Sequence, residues 1–210
     1  RDAGKRWVNF PEIQAACGVK IVAPNLENAI AGTTVHLANT KQQKADAEQS
    51  IREEWRGIYD KMPIMCSVCQ KVSPRVEFIE QCQKNTCPNA VEEKNGVVIK
   101  ADTVGGLEAL AFELFKLKIP VRQASVGPVN KKDILMAKSI QDPLNKVILG
   151  FSTKPNNEVA DDLKDDDSEV TFFSGSIIYH IMDAFEEWRE KTQADIEAAQ
   201  RESLVYPGRL

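Results

Sequence analysis

Long apolar runs are missing from this chain. Nothing approaches the roughly 20 consecutive residues needed to cross a bilayer, and the opening RDAGKRWVNF lacks the apolar centre of a secretory signal. The default expectation is a cytoplasmic protein with no membrane contact. An excess of positive charge is missing too: Lys and Arg number 27 against 31 Asp and Glu, for a net charge of −4, so any RNA contact has to come from local patches rather than a bulk field. Histidine is scarce. His36 and His180 lie far apart in sequence and neither has an obvious partner, so no nucleophile and base can be paired. No G-x-x-x-x-G-K-[ST] loop occurs, which removes the usual cradle for nucleotide phosphates. What remains, 42% hydrophobic and 28% charged over 210 residues, is the composition of a globular protein with room for one large or two small domains.

The organising stretch is Val97 to Leu114, VVIKADTVGGLEALAFEL. Val97, Val98 and Ile99 form a β-branched apolar run, as in a strand buried on both faces. Asp102 and Thr103 can cap a new helix, and Leu107, Leu110, Ala111, Leu114 and Leu117 recur at helical spacing. Three further units of this kind follow: Val121 to Val129 into a helix from Asn130 to Ile140, Lys146 to Thr153 into a helix from Asn156 to Leu163, and Val170 to Phe173 into a helix opened by Ser174 or Ser176. Strands alternating with helices predict an α/β fold, a four-stranded parallel sheet flanked by helices as an α/β/α sandwich over residues 97–185.

On either side the pattern changes. Residues 1–38 hold a strand (Val19 to Ala23), a short helix (Asn25 to Ile30) and another strand (Thr33 to Ala38), too few to close a sheet and expected to end a preceding domain. Residues 39–61 carry Ile51, Trp55, Ile58 and Tyr59 at helical spacing on a charged background, a connector helix with one narrow apolar stripe. At the other end Ile177, Ile178, Ile181, Phe185 and Trp188 pack on the sheet, whereas residues 186–204, rich in Ala, Glu, Gln, Lys and Arg, have no continuous apolar face. A helix polar all round is usually a bridge between domains. From Ser176 to Ser203 it would span roughly 40 Å. The start at Arg1 and the closing Tyr206-Pro207-Gly208-Arg209-Leu210 lead to the expectation of a piece of a longer protein.

Residues 62–96 hold four of the five cysteines, spaced C-x2-C, twelve residues, then C-x4-C: Cys66, Cys69, Cys82 and Cys87. Two short-spaced pairs can wrap one tetrahedral ion, because each pair forms a knuckle and thiolates are preferred zinc ligands. A site of four thiolates has no open position, so its role would be structural. Reduced cysteines in an insertion remain an alternative, and disulfides a further one that a cytosolic setting disfavours. Cys17, between Ala16 and Gly18, reads as a small buried residue.

Three other motifs invite chemistry. Asn130-Lys131-Lys132-Asp133 matches the guanine-reading N-K-x-D, but without a phosphate loop the simpler account is a capping box opening a helix. The turn Thr103 to Gly106 sits beyond the carboxyl end of a strand, where α/β sheets bind ligands, and its glycines serve either a phosphate or close helix packing. The acidic run Asp161, Asp162, Asp165, Asp166, Asp167 and Glu169 lacks the spacing of a calcium loop and reads as a solvated helix end.

The phrases GVKIVAPNLENAIAG (Gly18 to Gly32), ADTVGGLEAL (Ala101 to Leu110), VGPVNKKDILMA (Val126 to Ala137), KVILGFSTK (Lys146 to Lys154) and SIIYHIMDAFEEWRE (Ser176 to Glu190) resemble, in order, eukaryotic translation initiation factor five-B, of the family that includes bacterial initiation factor two. The resemblance implies that residues 1–38 end a β-barrel second domain, that 97–185 form the α/β/α third domain, and that the last helix connects to a fourth. It also implies that GTP and magnesium belong to an N-terminal G domain and initiator tRNA to the last domain, neither present here. The segment expected to do no chemistry itself would dock on the small ribosomal subunit, as a monomer, and relay nucleotide state during subunit joining. Contact candidates are Lys131 and Lys132, and Lys116, Lys118 and Arg122. The cysteine segment departs from the family pattern, so nothing is carried onto its cysteines. An alternative function is a small nucleotide- or small-molecule-binding domain using the Thr103 to Gly106 turn.

Overall fold

The computed structural model describes residues 32–160, 162–163 and 169–203, together with 24, 26, 29 and 30. Cys17, the strand expected at Val19 to Ala23 and most of the acidic run lie outside these residues. The sheet is four-stranded and parallel, with order β4-β3-β5-β6: β3 is Val97–Ala101, β4 Val121–Val126, β5 Val147–Phe151 and β6 Thr171–Gly175. Central β3 is buried along its whole length, as its apolar run requires, and pairs Ile99 with Ala124 on one side and Leu149 on the other. Its residues alternate between two cores. Val97, Ile99 and Ala101 face a core shared with the helices α1 (Lys41–Lys61), α3 (Val104–Lys116) and α5 (Ile178–Ser203), while Val98 faces Ile134, Ala137 and Ile140 around α4 (Lys131–Lys138). Helices thus cover both faces, giving the expected α/β/α layers.

Two expected elements differ. Residues 157–160, 162 and 163 lie in turns, not a helix; Val159 anchors them in the second core, and the acidic side chains clustered in this part of the sequence would repel one another along a helix. Thr33 to Ala38 makes no ladder among the described residues, and Val35 and Leu37 are 79% and 83% exposed. Alternating side chains make a strand only where a neighbour accepts the backbone hydrogen bonds.

α1 opens with a capping box between Thr40 and Gln43, and its apolar stripe becomes buried only at Ile58, with Trp55 packed against the same core. α5 is rooted by Ile181, Met182 and Phe185, and by an aromatic cluster in which Phe173, Phe185 and Trp188 lie 6.0–6.2 Å apart. Beyond Trp188 no residue up to Arg201 is buried, yet the helix continues without a break to Ser203, about 39 Å in all at ~1.5 Å per residue. No helix among the described residues is long and apolar enough to cross a membrane.

α3 ends in a Schellman turn made without glycine. Lys118 has φ 57°, its N–H bonds Phe115 O at 3.0 Å, and Ile119 N–H bonds Leu114 O at 2.9 Å, with both Ile119 and Leu114 buried. A side chain in the left-handed region costs about 1–2 kcal/mol, partly offset against glycine by the entropy of the unfolded chain. Lys118→Gly is therefore expected to raise stability in urea by up to ~1 kcal/mol. A loss would mean that the lysine side chain stabilises the turn.

Residues 62–96 build a separate small unit. β1 (Pro63–Met65) and β2 (Val72–Pro74) pair antiparallel, and a short helix α2 (Arg75–Glu77) runs on into a π-helical segment, Phe78–Thr86. Its core consists of Ile64, Cys66, Phe78, Cys82, Cys87 and Ala90. Arg75 ties the unit together, lying 3.9 Å over the Tyr59 ring of α1 while pairing with Glu92.

Candidate metal centre

The hairpin turn between β1 and β2 and the end of the π-helical segment each bring two cysteines to one point. The sulfur atoms of Cys66, Cys69, Cys82 and Cys87 all lie within 4.8 Å of one another, so the four could hold a metal ion. Cys82 Sγ is 3.2 Å from Cys66 and 3.7 Å from Cys69. Four thiolates ~2.3 Å from a tetrahedral ion would sit about 3.8 Å apart, so small adjustments suffice. The first knuckle is preformed: the N–H groups of Val68 and Cys69 donate to Cys66 Sγ at 3.4 and 3.5 Å. At the second, the N–H of Cys87 donates to Cys82 O at 2.7 Å, closing the chain back on itself.

The thiols differ in how readily they lose a proton. Burial pushes Cys66 up, but the N–H groups of Cys69 and Val68, with donation from the Cys82 and Cys69 thiols, outweigh it and bring it down to about 7. Cys82 is raised because its thiol donates to Cys66, and by burial; Cys87 is raised chiefly by burial. A cation at the centre would reverse the penalty on both. Thiols protonated in the free chain are bare when they bind metal, so binding releases protons and weakens as pH falls.

The N-K-x-D match is a capping box. Asn130 Oδ1 accepts from Lys132 and Asp133 N–H, and Asp133 Oδ2 accepts from Asn130 N–H at 3.0 Å. Asp133 is also buried, with Lys100 Nζ 3.1 Å from Oδ2 and Gln123 Nε2 2.9 Å from Oδ1, while Lys100 donates to Ser125 Oγ at 2.9 Å. Both carboxylate oxygens are engaged, leaving nothing to read a base edge. Sequence reading located Asp133 but missed Lys100, whose partner lies 33 positions along the chain and whose strand otherwise looks apolar.

The Thr103 to Gly106 turn is also largely engaged. Thr103 Oγ1 accepts from Gly106 N–H at 3.2 Å, and a Cβ on Gly32 would lie 3.0 Å from Val104 N, so the chain itself packs over the start of α3. A Cβ on Gly106 would come 2.7 Å from Phe151 Cδ1, which explains that glycine by close helix-to-strand packing. Of the two glycines in the turn, Gly105 faces open space.

The five basic candidates separate into two places. Lys131 and Lys132 are exposed at the start of α4, beyond the carboxyl end of β4; Lys116, Lys118 and Arg122 sit at the other end of the same strand, where Lys116 pairs with Glu113 at 2.8 Å. One continuous patch does not form from all five.

A family model described as "IF-2: Translation-initiation factor 2" matches residues 71–186, spanning most of the cysteine unit, the whole sheet and the root of α5, so the greater part of the segment expected to depart from the family pattern falls within the match. The chain belongs to the translation-initiation factor 2 family. The matched span includes Cys82 and Cys87 and begins after Cys66 and Cys69. Among relatives, the probable translation initiation factor IF-2 of Archaeoglobus fulgidus is 33% identical over 98% of this chain and 29% of its own length. That of Pyrococcus abyssi is 34% identical over 99% of this chain and 18% of its own. The chain thus spans less than a third of these family members. The crystal structure of GDP-bound aIF5B from Aeropyrum pernix superposes with a TM-score of 0.62 at 29% identity, covering 93% of this chain and 28% of that one. Its likeness extends to the α/β architecture with a long C-terminal helix.

Proposed function

We propose that this segment is the non-catalytic docking and relay part of a cytoplasmic, GTP-dependent initiation factor, of the five-B kind, that promotes ribosomal subunit joining with initiator tRNA. The observation that carries the reading is α5. It is anchored by Phe185 and Trp188 against the core and continues as an unbroken helix to Ser203, with no buried residue between Trp188 and Arg201, the form of a lever joining two bodies. Residues 1–38 would then end a β-barrel domain, with Val35 and Leu37 turned toward the rest of it. GTP and magnesium would be held by the family's G domain and tRNA by a fourth domain, both outside this chain, which would act as a monomer. The cysteine centre would hold one structural zinc: four thiolates satisfy the ion fully, and a core this small needs such a staple. It would seat the C-terminal end of α1 against the sheet domain through Met62 and Arg75.

Small-subunit contacts would fall to exposed lysines, first Lys131 and Lys132 at the loop end of the sheet. The competing reading, a nucleotide-binding domain using the Thr103 to Gly106 turn, is weakened by Gly32 and Phe151 closing on that turn. Calorimetric titration of the chain with GTP and GDP separates the two. No binding at micromolar concentration is expected; a micromolar dissociation constant, lost in Gly105→Ala, would overturn the relay reading.

A further inference from the structure

The four cysteines are not equally accessible. Cys66, Cys82 and Cys87 are buried, whereas Cys69 is exposed. It lines a cleft of about 340 Å³ between β2 and the π-helical segment, with Lys71 and Ser73 from the hairpin, Gln81 from the helix and Cys82 as its second sulfur. Cys69 and Cys82 are 3.7 Å apart there, close enough for a sulfur–sulfur bond after a small rotation. A closed four-thiolate site buried on all sides would resist oxidants; this one opens one edge to them.

Resting on the zinc reading above, we infer that the metal centre is a reversible redox switch, in which a peroxide entering the cleft oxidises Cys69, Cys82 completes a Cys69–Cys82 disulfide, and the ion is released. The chemistry balances with hydrogen peroxide as the named oxidant. The Cys69 thiolate attacks one peroxide oxygen, the O–O bond breaks, and with one proton from solvent a sulfenic acid and one water result. The Cys82 thiolate then attacks that sulfur, displacing hydroxide, which a second solvent proton converts to water. Two electrons pass from the sulfurs to peroxide and the zinc, itself redox-inert, changes only its ligands. Two thiolates remain, too few to keep it. A dithiol reverses the step by thiol–disulfide exchange. Cys66, Cys82 and Cys87 are half of the unit's six-residue core, so release would loosen residues 62–96 where they hold α1.

The test uses the whole zinc-loaded chain. Zinc is first quantified by mass spectrometry under native conditions; hydrogen peroxide is then added in the presence of a chromogenic zinc chelator, and thiols are trapped at intervals with isotope-labelled alkylating agents and mapped by peptide mass spectrometry. Expected are one zinc at the start, release in step with a Cys69–Cys82 disulfide, Cys69 losing its thiol roughly tenfold faster than Cys66 or Cys87, and recovery of one zinc after dithiothreitol and added metal. Zinc retained through peroxide, or Cys66 or Cys87 oxidised as fast as Cys69, would overturn the switch and leave the structural zinc standing. A chain with no zinc at the start would overturn both. Peptide mapping of the unaltered chain avoids dependence on Cys69→Ser, whose own zinc affinity is reduced.

Discussion

Asp133→Ala is expected to remove about 3–5 kcal/mol of stability, because it leaves Lys100 charged and without its counter-ion in the middle of the sheet domain. Lys100 and Asp133 are 2% and 1% exposed, so bulk solvent does not reach the pair. The same substitution takes the reciprocal bond from the Asn130 cap, worth about 1 kcal/mol by itself, and strands Gln123 Nε2. Asp133→Asn keeps the acceptor toward Asn130 and should cost less. Replacing both charges, Lys100→Met with Asp133→Leu, should recover most of the loss, since a buried ion pair gains little over well-packed apolar groups. Urea unfolding followed by Trp fluorescence measures all three. A cost below ~1 kcal/mol for Asp133→Ala would mean that Lys100 reaches solvent or another acceptor.

Cys66→Ser should have the second large effect, and a local one. Cys66 is the acceptor of the first knuckle and central to the small core. Its loss is expected to abolish metal binding, and with it most of a contribution that reaches about 10–16 kcal/mol in isolated zinc-finger peptides. Because β3 to β6 have their own two cores, the sheet should stay folded while residues 62–96 lose amide protection, read peptide by peptide in hydrogen exchange. The metal's contribution to the protection of residues 62–96 should be larger at pH 8 than at pH 6: thiols are protonated in the free chain and bare in the bound one, so stability from the metal is present at high pH and lost as pH falls. Uniform loss of protection across the sheet would contradict the separation into two units.

The sheet was readable from sequence because β3 and β5 are buried on both faces and therefore apolar but for Lys100, and because Thr103 and Asn130 mark helix starts by local chemistry. The helix expected at Asn156 to Leu163 failed because spacing alone does not register the repulsion among the acids that follow. Thr33 to Ala38 makes no ladder among the described residues, because pairing depends on a neighbour that spacing does not reveal. The cysteine cluster was legible as C-x2-C and C-x4-C; that Cys69 alone is exposed was not, since accessibility follows from how β2 packs beside the π-helical segment. Lys100 was invisible for a related reason, a charge whose partner is brought to it only by the crossover from β4 through α4.

Co-sedimentation of the chain with purified small ribosomal subunits over a range of salt, from about 50 to 200 mM, tests the relay reading most directly. Binding at low salt that weakens as salt rises is expected, with the slope reduced by roughly one for each of Lys131→Ala and Lys132→Ala. Little change is expected for Lys116→Ala, whose ammonium already pairs with Glu113. No association at low salt, or association indifferent to salt and to both α4 lysines, would contradict the relay reading.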